Sequence, residues 1–576
     1  MFNNLLLKKI YFILGKKNIF KLYIVLFLTL INTFFELITI GLIIPILAIF
    51  VDQNYEKYFE IFPAISKISE SKLLIYIFII ITLIYLIKCF INIFSVYLRS
   101  KFCWNLYKNL SQNIFHNYIK EDYLVHINSH SSEKLNNIRG EASIFSQGVI
   151  WNVIDLVIDI ILISSISIFL LFYNFQLSFF VIAFLIILGH FWNRFYNDHL
   201  EKIGKKREIH AKGTIKEIQN SFGNFRETTI FNLRKLFSDR FELHNREFSS
   251  VAIKKDFIIQ IPRFLLELLS IIGVLSIFFV LIKSNIPLPE ILVLLGVFVF
   301  AIVRMLPSVT KIIKSIQTIK FNNVVIDKMY NQLLNSNNLD INFDKKNYDR
   351  LDFKKISVKN LNYKYPTSEN YILKDINLNI SKGDKIGIVG TTGSGKSTLI
   401  NIITGLLNSE GENFKIDDFK LNKEKILSWQ SNIGYVSHDV FLLDETLGYN
   451  ISLKENYKTE KEKLFYLLKK VELFEFVEKQ PLKLDFLVGE KGGKLSRGQM
   501  QRLGIARALY INPAVLIFDE ATSALDTHVE RMILQKLYKN NENLTIISVS
   551  HRKSALEFCD KIFEINNGQL KKIVNK

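Results

Sequence analysis

The chain has 576 residues, 49% of them hydrophobic and 22% charged. That length asks for several domains, and the mixture argues against a wholly soluble protein in favour of a membrane portion joined to a soluble one. The net charge of +19 suits either nucleic acid or anionic lipid; the apolar runs below favour lipid and leave nucleic acid out as a partner. Cys89, Cys103 and Cys559 are scattered, which excludes a disulfide framework or a cysteine metal site.

Six apolar runs precede residue 320: Leu22–Ile49, Leu73–Val96, Val149–Tyr173, Leu177–Phe195, Phe257–Ile282 and Ile291–Leu306. Most supply the roughly 20 residues needed to cross hydrocarbon. The first is too long for a cleavable signal peptide and lacks a small-residue cleavage site. Lys8, Lys9, Lys16, Lys17 and Lys21 precede it, whereas the link Asn174-Phe175-Gln176 carries no charge. The positive-inside bias therefore places the N-terminus and the soluble half in the cytosol.

Two inner links are long, Arg99–Gly148 and Asn197–Asp256. A helix running from Leu73 to about Ile119 would measure roughly 70 Å, of which the bilayer core uses only about 30 Å. Each link is thus expected to be a helical hairpin projecting into the cytosol, with its tip at Glu121–His130 or Gly223–Asn232. The segment Asn54–Ser71 reads either as a short surface helix broken near Pro63 or as a compact loop. Pro45, Pro262 and Pro307 are expected to bend their helices.

Ionisable residues at membrane depth mark either ion pairs or a ligand path. Lys88, Arg263 and Arg304 are the candidate substrate-binding cations. Arg263 and Glu267 stand four residues apart and could pair with each other. Glu36, Asp155 and Asp159 are further acidic partners. A cationic wall would suit a phosphate or pyrophosphate group.

After the polar link 322–350, strands and helices alternate as in an α/β domain with a mixed sheet. Gly390-Thr391-Thr392-Gly393-Ser394-Gly395-Lys396-Ser397 fits the phosphate-cradling P-loop, with Thr398 following it. An apolar strand precedes it and a helix follows. The backbone N–H groups would face a polyphosphate, Lys396 would meet the β- and γ-phosphates, and Ser397 could ligand Mg²⁺. A second apolar strand, Val515-Leu516-Ile517-Phe518, ends in Asp519-Glu520. There Asp519 would hold Mg²⁺ and Glu520 would polarise the attacking water. A third strand delivers His551, placed to hydrogen-bond the γ-phosphate.

Between the P-loop and the carboxylates lies Leu495-Ser496-Arg497-Gly498-Gln499. With the P-loop and Asp519-Glu520, this resembles the ATP-binding-cassette family and its signature sequence. Ser523-Ala524-Leu525-Asp526 resembles that family's D-loop, and Tyr365 stands where the family places an aromatic on adenine, with Tyr363 as the fallback. The resemblance implies an α-helical transmembrane domain of six helices over 1–321, the linker 322–350, and an α/β ATP-binding cassette over 351–576. It implies ATP and Mg²⁺ as cofactors and a homodimer, in which Ser496, Gly498, Gln499 and Asp526 of one copy complete the ATP site of the other. Two positions depart from the family. Val436-Ser437-His438-Asp439 has His438 where glutamine is usual, able to meet the Mg²⁺-bound water. Arg497 replaces the commoner glycine.

Ile261-Pro262-Arg263 with Leu266-Glu267, and Arg304-Met305-Leu306-Pro307-Ser308, resemble bacterial flippases for lipid-linked oligosaccharides. This implies a polyprenyl-pyrophosphate-linked glycan moved from the inner to the outer leaflet of the bacterial inner membrane. An exporter of another lipid, a peptide or a drug is the alternative. A non-transporting membrane ATPase acting as a regulator is a further one.

Overall fold

The computed structural model describes residues 4–42, 44, 70–283, 287–336, 349–408, 413–417, 419–421, 423–539 and 542–575. The expectations for Asn54–Ser71 fall on residues almost wholly outside this set, and the bend at Pro45 lies outside it. The chain divides into two units, Met1–Glu121 with Val125–Ile341, and Asp122–Leu124 with Asn342–Lys576.

Up to Ser336 the described chain is helical. Its elements are α1 (Asn4–Gly41), α2 (Glu70–Lys120), α3 (Tyr123–Asn128), α4 (Ser131–Tyr173), α5 (Phe175–Gly223), α6 (Phe225–Ile230), α7 (Arg234–Lys283), α8 (Leu288–Phe321) and α9 (Asn323–Ser336). Among the described residues, five helices are long and apolar enough to cross a membrane: Asn18–Gly41, Ile75–Lys120, Ser131–Tyr173, Arg234–Lys283 and Glu290–Phe321. The run Leu177–Phe195 forms the first part of α5. The 51 residues of α2 reach well beyond hydrocarbon thickness, at about 1.5 Å each. Short helices fill both expected tips, α3 between α2 and α4, and α6 between α5 and α7. Pro262 and Pro307 sit inside helices that continue on either side of them.

Two stretches differ from the sequence reading. The lysine-rich N-terminal tail is helical up to Gly15, whose φ of 67° breaks α1 there. Leu6, Ile10, Ile13 and Leu14 recur on one face, and all are buried in a core shared with Phe102, Leu106, Ile326 and Met329. Within the supposed link 322–350, α9 is an ordered helix. Val325, Ile326 and Met329 are its apolar stripe, and Lys9 Nζ bonds Asp327 Oδ1 at 2.7 Å. Polar composition concealed this stripe, because its other faces carry Asn, Asp, Lys and Gln.

Within α4, Asn136–Glu141 and Ile144–Ile150 are wound as π-helix. The wider turn brings Asn136 Nδ2 to 2.9 Å from Glu141 Oε1, five residues on. Glu141 is fully buried and also accepts from Arg207 Nη2 of α5 at 2.9 Å.

The second unit holds two sheets. An antiparallel one has strand order β2-β1-β4-β5, from β1 (Lys355–Tyr363), β2 (Leu373–Ser381), β4 (Phe414–Ile416) and β5 (Phe419–Lys420). The larger has order β10-β9-β3-β8-β7-β6, from β3 (Lys385–Gly390), β6 (Ile433–Val436), β7 (Val515–Asp519), β8 (Thr545–Val549), β9 (Lys561–Asn566) and β10 (Gln569–Asn575). Within it β3, β8, β7 and β6 are mutually parallel, and only β10 runs antiparallel to its neighbour. Ile386, Ile388, Leu516, Ile517, Ile546 and Ile547 are completely buried, as expected of parallel strands covered on both faces.

Close backbone approach also shapes the helical unit. A Cβ on Gly204 of α5 would lie 2.0 Å from the Phe321 carbonyl oxygen at the end of α8. Gly204→Ala should therefore destabilise the protein by about 1–3 kcal/mol. Thermal unfolding of the purified variant measures this, and an unchanged transition would show that the two helices do not meet there.

Candidate nucleotide site and membrane charge cluster

Because β3, β8, β7 and β6 are neighbours and parallel, their carboxyl ends share one edge of the sheet. That edge carries the P-loop, the Asp519-Glu520 pair, His551 and His438, whereas the signature, Ser523–Asp526 and Tyr365 come from other elements. β3 runs into the P-loop, β8 leads to His551, β7 ends at Asp519-Glu520, and β6 leads to Ser437-His438.

The P-loop curls between β3 and α10 (Lys396–Ile403). Gly390 has φ 152°, and a Cβ there would come within 2.3 Å of the Ile565 carbonyl oxygen. Gly395, the N-cap of α10, has φ 108° and no room for a Cβ beside Leu373. No side chain but hydrogen fits these two turns. Lys396 is buried and donates to the carbonyls of Gly390 at 2.8 Å and Thr391 at 3.0 Å. Thr391, Thr392, Gly393 and Ser397 are exposed, so the loop's outer rim, with the Ser397 hydroxyl, is open. Ser394 is buried and its hydroxyl has no hydrogen-bond partner. Thr398 Oγ1 lies 3.4 Å from the Tyr365 hydroxyl, which brings that half-buried ring to the P-loop helix. Tyr363 is packed into the core instead, edge-on to Tyr365 with ring centroids 5.4 Å apart.

Asp519 accepts a hydrogen bond from the Tyr435 hydroxyl at 2.9 Å. Burial pushes its carboxyl above the ordinary carboxylate range, which the Tyr435 bond opposes; Glu520 adds to the rise, while His438 and Lys396 offset it. Glu520 adopts a left-handed backbone with φ 53°, its N–H held by the Val549 carbonyl at 3.0 Å. Its Oε1 is 3.4 Å from His551 Nε2. His438 is half-exposed beside Asp439, with Nδ1 to Oδ1 at 3.3 Å.

The signature begins α11 (Arg497–Tyr510) with a capping box. Ser496 Oγ accepts from the Gln499 N–H at 3.2 Å, and Gln499 Oε1 accepts from the Ser496 N–H at 2.8 Å. Gly498 passes close to the Ala524 carbonyl, where a Cβ would stand at 3.2 Å. Asp526 caps α12 (Thr527–Lys539), its carboxylate accepting from His528 and Val529. Arg497 starts α11, and nothing in the structure explains its replacement of glycine.

Three residues escaped the sequence reading. Tyr435 is the exposed member of an otherwise buried strand, a polar-tipped aromatic one place before its end. Gln501 accepts from the Ala524 N–H at 2.9 Å, which ties α11 to Ser523–Asp526. Arg552 donates to the Leu525 carbonyl at 2.9 Å from the other side. Neither spacing nor residue type announces these two, since both bonds join segments distant in sequence.

In the helical unit, Lys88 and Arg304 converge on one carboxylate, Glu36. Lys88 Nζ bonds Glu36 Oε2, and Arg304 Nη2 donates to the same oxygen at 2.7 Å. Lys88 and Glu36 are buried, whereas the Arg304 side chain remains 41% exposed. The cluster keeps one net positive charge. Arg263 is not joined to it through Glu36; it pairs with Glu267 at 3.0 Å on the exposed side of α7. Asp155 pairs with Arg99, and Asp159 is buried.

Residues 22–306 match the ABC transporter transmembrane region, and residues 373–523 match the ABC transporter cassette. Over 216 residues the chain is 37% identical to the ATP-dependent lipid A-core flippase of Pasteurella multocida, covering 38% of this chain and 37% of that one. A Staphylococcus aureus protein whose name provisionally assigns it to multidrug export is 39% identical over the same length and the same shares. The chain thus spans little more than a third of these curated relatives, 37% of each. A bacterial Atm1-family ABC exporter with ATP bound shares the fold, with a TM-score of 0.78 and 20% identity over 96% of this chain and 94% of that one. With a transporter membrane region and an ATP-binding cassette on one chain, this multi-pass membrane protein belongs to the ABC transporters, as a half-transporter.

Proposed function

We propose that two copies of this chain hydrolyse ATP and use it to move an amphipathic lipid with an anionic head group outward across the bacterial cell membrane. A polyprenyl-pyrophosphate-linked oligosaccharide is the substrate that best suits the cations. The supporting observation is the Glu36 cluster, where two cations share one carboxylate and Arg304 stays open. An uncompensated charge at membrane depth is costly, and an anionic ligand would balance it. On the face of α8 that carries Ile302, Met305 and Leu306, α5, α7 and α8 line an apolar cleft of about 460 Å³, with Phe180, Leu266 and Gly273 on its other walls. A lipid chain suits it in size and polarity.

The residues at the sheet edge fit ATP with Mg²⁺. The P-loop turns at Gly390 and Gly395 leave no room for a Cβ, and the donors nearby are hard oxygens. Ser397 and Asp519 would hold Mg²⁺, with His438 reaching it through water; the ion supplies charge neutralisation at the β- and γ-phosphates. Backbone N–H groups from Gly390 to Thr398 cradle the phosphates, and Lys396 exchanges its two loop carbonyls for phosphate oxygens. Tyr365 lies against adenine. Glu520 accepts the proton of the attacking water, and His551, 3.4 Å from it, holds the γ-phosphate side in line. Tyr435 orients Asp519. Ser496, Gly498, Gln499 and Asp526 face the ATP of the second copy, so hydrolysis requires the homodimer. The N-terminus and cassette lie in the cytosol, following the basic residues. The long helices then carry cassette closure to the crossing.

Cassette identity does not separate lipid from drug export, since relatives named for each stand at 37% and 39%. Vesicles holding the purified protein and a fluorescent lipid-linked oligosaccharide separate them. ATP-dependent movement should occur, and Arg304→Gln with Lys88→Met should lower it at least tenfold while ATPase persists. Equal movement of a neutral lipid in wild type and variant would overturn the head-group reading. ATPase without movement of any lipid would indicate a regulator. Glu520→Gln should lower hydrolysis by about 10²–10⁴-fold with ATP binding kept. Tyr435→Phe removes one hydrogen bond to a charged group, about 1.5–3 kcal/mol, and should lower hydrolysis by roughly 10- to 100-fold. Steady-state ATPase measures both, and unchanged turnover in either variant would remove that residue from its role.

A further inference from the structure

α5 and α7 run side by side as the arms of the second hairpin. Along it, His210 and His244 face each other with Nδ1 atoms 3.2 Å apart and ring centroids at 5.4 Å. Both side chains are half-buried and open on one side. The His244 ring lies over Gly213, one turn along α5 from His210. A Cβ at Gly213 would come within 2.5 Å of that ring's Cε1 and Nδ1. The glycine thus makes the seat in which His244 meets its partner. Two turns from His210 on the same face, Glu217 is 7% exposed, and its Oε2 has no hydrogen-bond partner. It adds negative charge to the seam.

Two neutral imidazoles at this separation share one proton, which one Nδ1 donates and the other accepts. The spacing also suits a metal. Two nitrogens at 2.0–2.1 Å from a tetrahedral zinc stand about 3.3 Å apart. We propose that His210 and His244 form a two-histidine clip for a borderline transition-metal ion of the zinc or nickel class, fastening α5 to α7. Each Nδ1 gives a lone pair to the ion. The ring that carried Nδ1–H moves that proton to its Nε2, so no proton need be lost. Among the described residues no set of three or more His, Cys, Asp and Glu is spaced to hold an ion. Water therefore completes the coordination and the ion exchanges readily. The nitrogens lie beyond the apolar runs of both helices, outside the hydrocarbon, so ions reach them from solution. The bound ion cross-links the two arms, and the clip is independent of what is transported.

Calorimetric titration of the purified full-length protein in detergent with Zn²⁺ tests this, beside Cu²⁺ electron paramagnetic resonance. The chain holds ten histidines, so each variant is compared with wild type. His210→Ala and His244→Ala should each weaken the tightest Zn²⁺ site at least tenfold. Cu²⁺ should show two imidazole nitrogens in wild type and at most one in either variant. Gly213→Ala keeps both ligands but displaces a ring, and it should also weaken binding. His210→Asn retains a polar side chain and covers the case in which alanine unfolds the hairpin. An unchanged Zn²⁺ affinity in His210→Asn and His244→Ala, or a two-nitrogen signal persisting in both, would overturn the clip.

Discussion

The candidate nucleotide site depends on the parallel pairing of β3, β8, β7 and β6. Each strand contributes one chemical part, and only parallel alignment brings the four carboxyl ends to one edge. A strand reversed or displaced in that order would carry its residues to the far side of the sheet. The buried aliphatic side chains of these strands hold the alignment, because they have no solvent face to which a slipped register could turn them. The chemistry is thus held by apolar packing several residues behind it. Asp519, raised in its proton affinity by the same burial, is steadied by the Tyr435 hydroxyl from the neighbouring strand.

The helical unit solves a different problem, that of carrying charge through apolar surroundings. Glu36 serves two cations from two other helices, so α1, α2 and α8 are tied at one point by charge-assisted bonds. Arg99, by contrast, meets Asp155 and lies over the Trp151 ring at 4.3 Å, a closed arrangement with no open cation. Arg263 and Glu267 satisfy each other along one helix. The three arrangements differ in whether charge is left over, and only the Glu36 cluster has a surplus.

Much of the fold was legible in the sequence because its signals are local. The P-loop, the Asp519-Glu520 pair at a strand end, the long apolar runs and both polar tips each occupy a few adjacent residues. What stayed hidden was either long-range or masked by composition. Nothing near Glu36 indicates that residues 88 and 304 will both reach it. Tyr435 and Asp519 are joined across strands far apart in the chain. The N-terminal helix and α9 bury a stripe of three or four apolar residues each, and the surrounding Lys and Asn made both stretches look like solvated links. Fixed side-chain spacing identifies a crossing but not the partner it buries against, so Glu36, Asp155 and Asp159 look alike in the sequence, and only the fold brings Glu36 to Lys88 and Arg304 and Asp155 to Arg99.

The widened turns of α4 carry a consequence for motion. Two successive stretches, Asn136–Glu141 and Ile144–Ile150, hold more residues per turn than an ordinary helix. Taking up one such surplus residue into regular winding would swing everything beyond it by about 100° around the rod's own long axis. Arg207 meets Glu141 within the first of these turns, so the ion pair ties α5 to the place where α4 leaves regular winding, and any such rewinding would have to carry that pair with it.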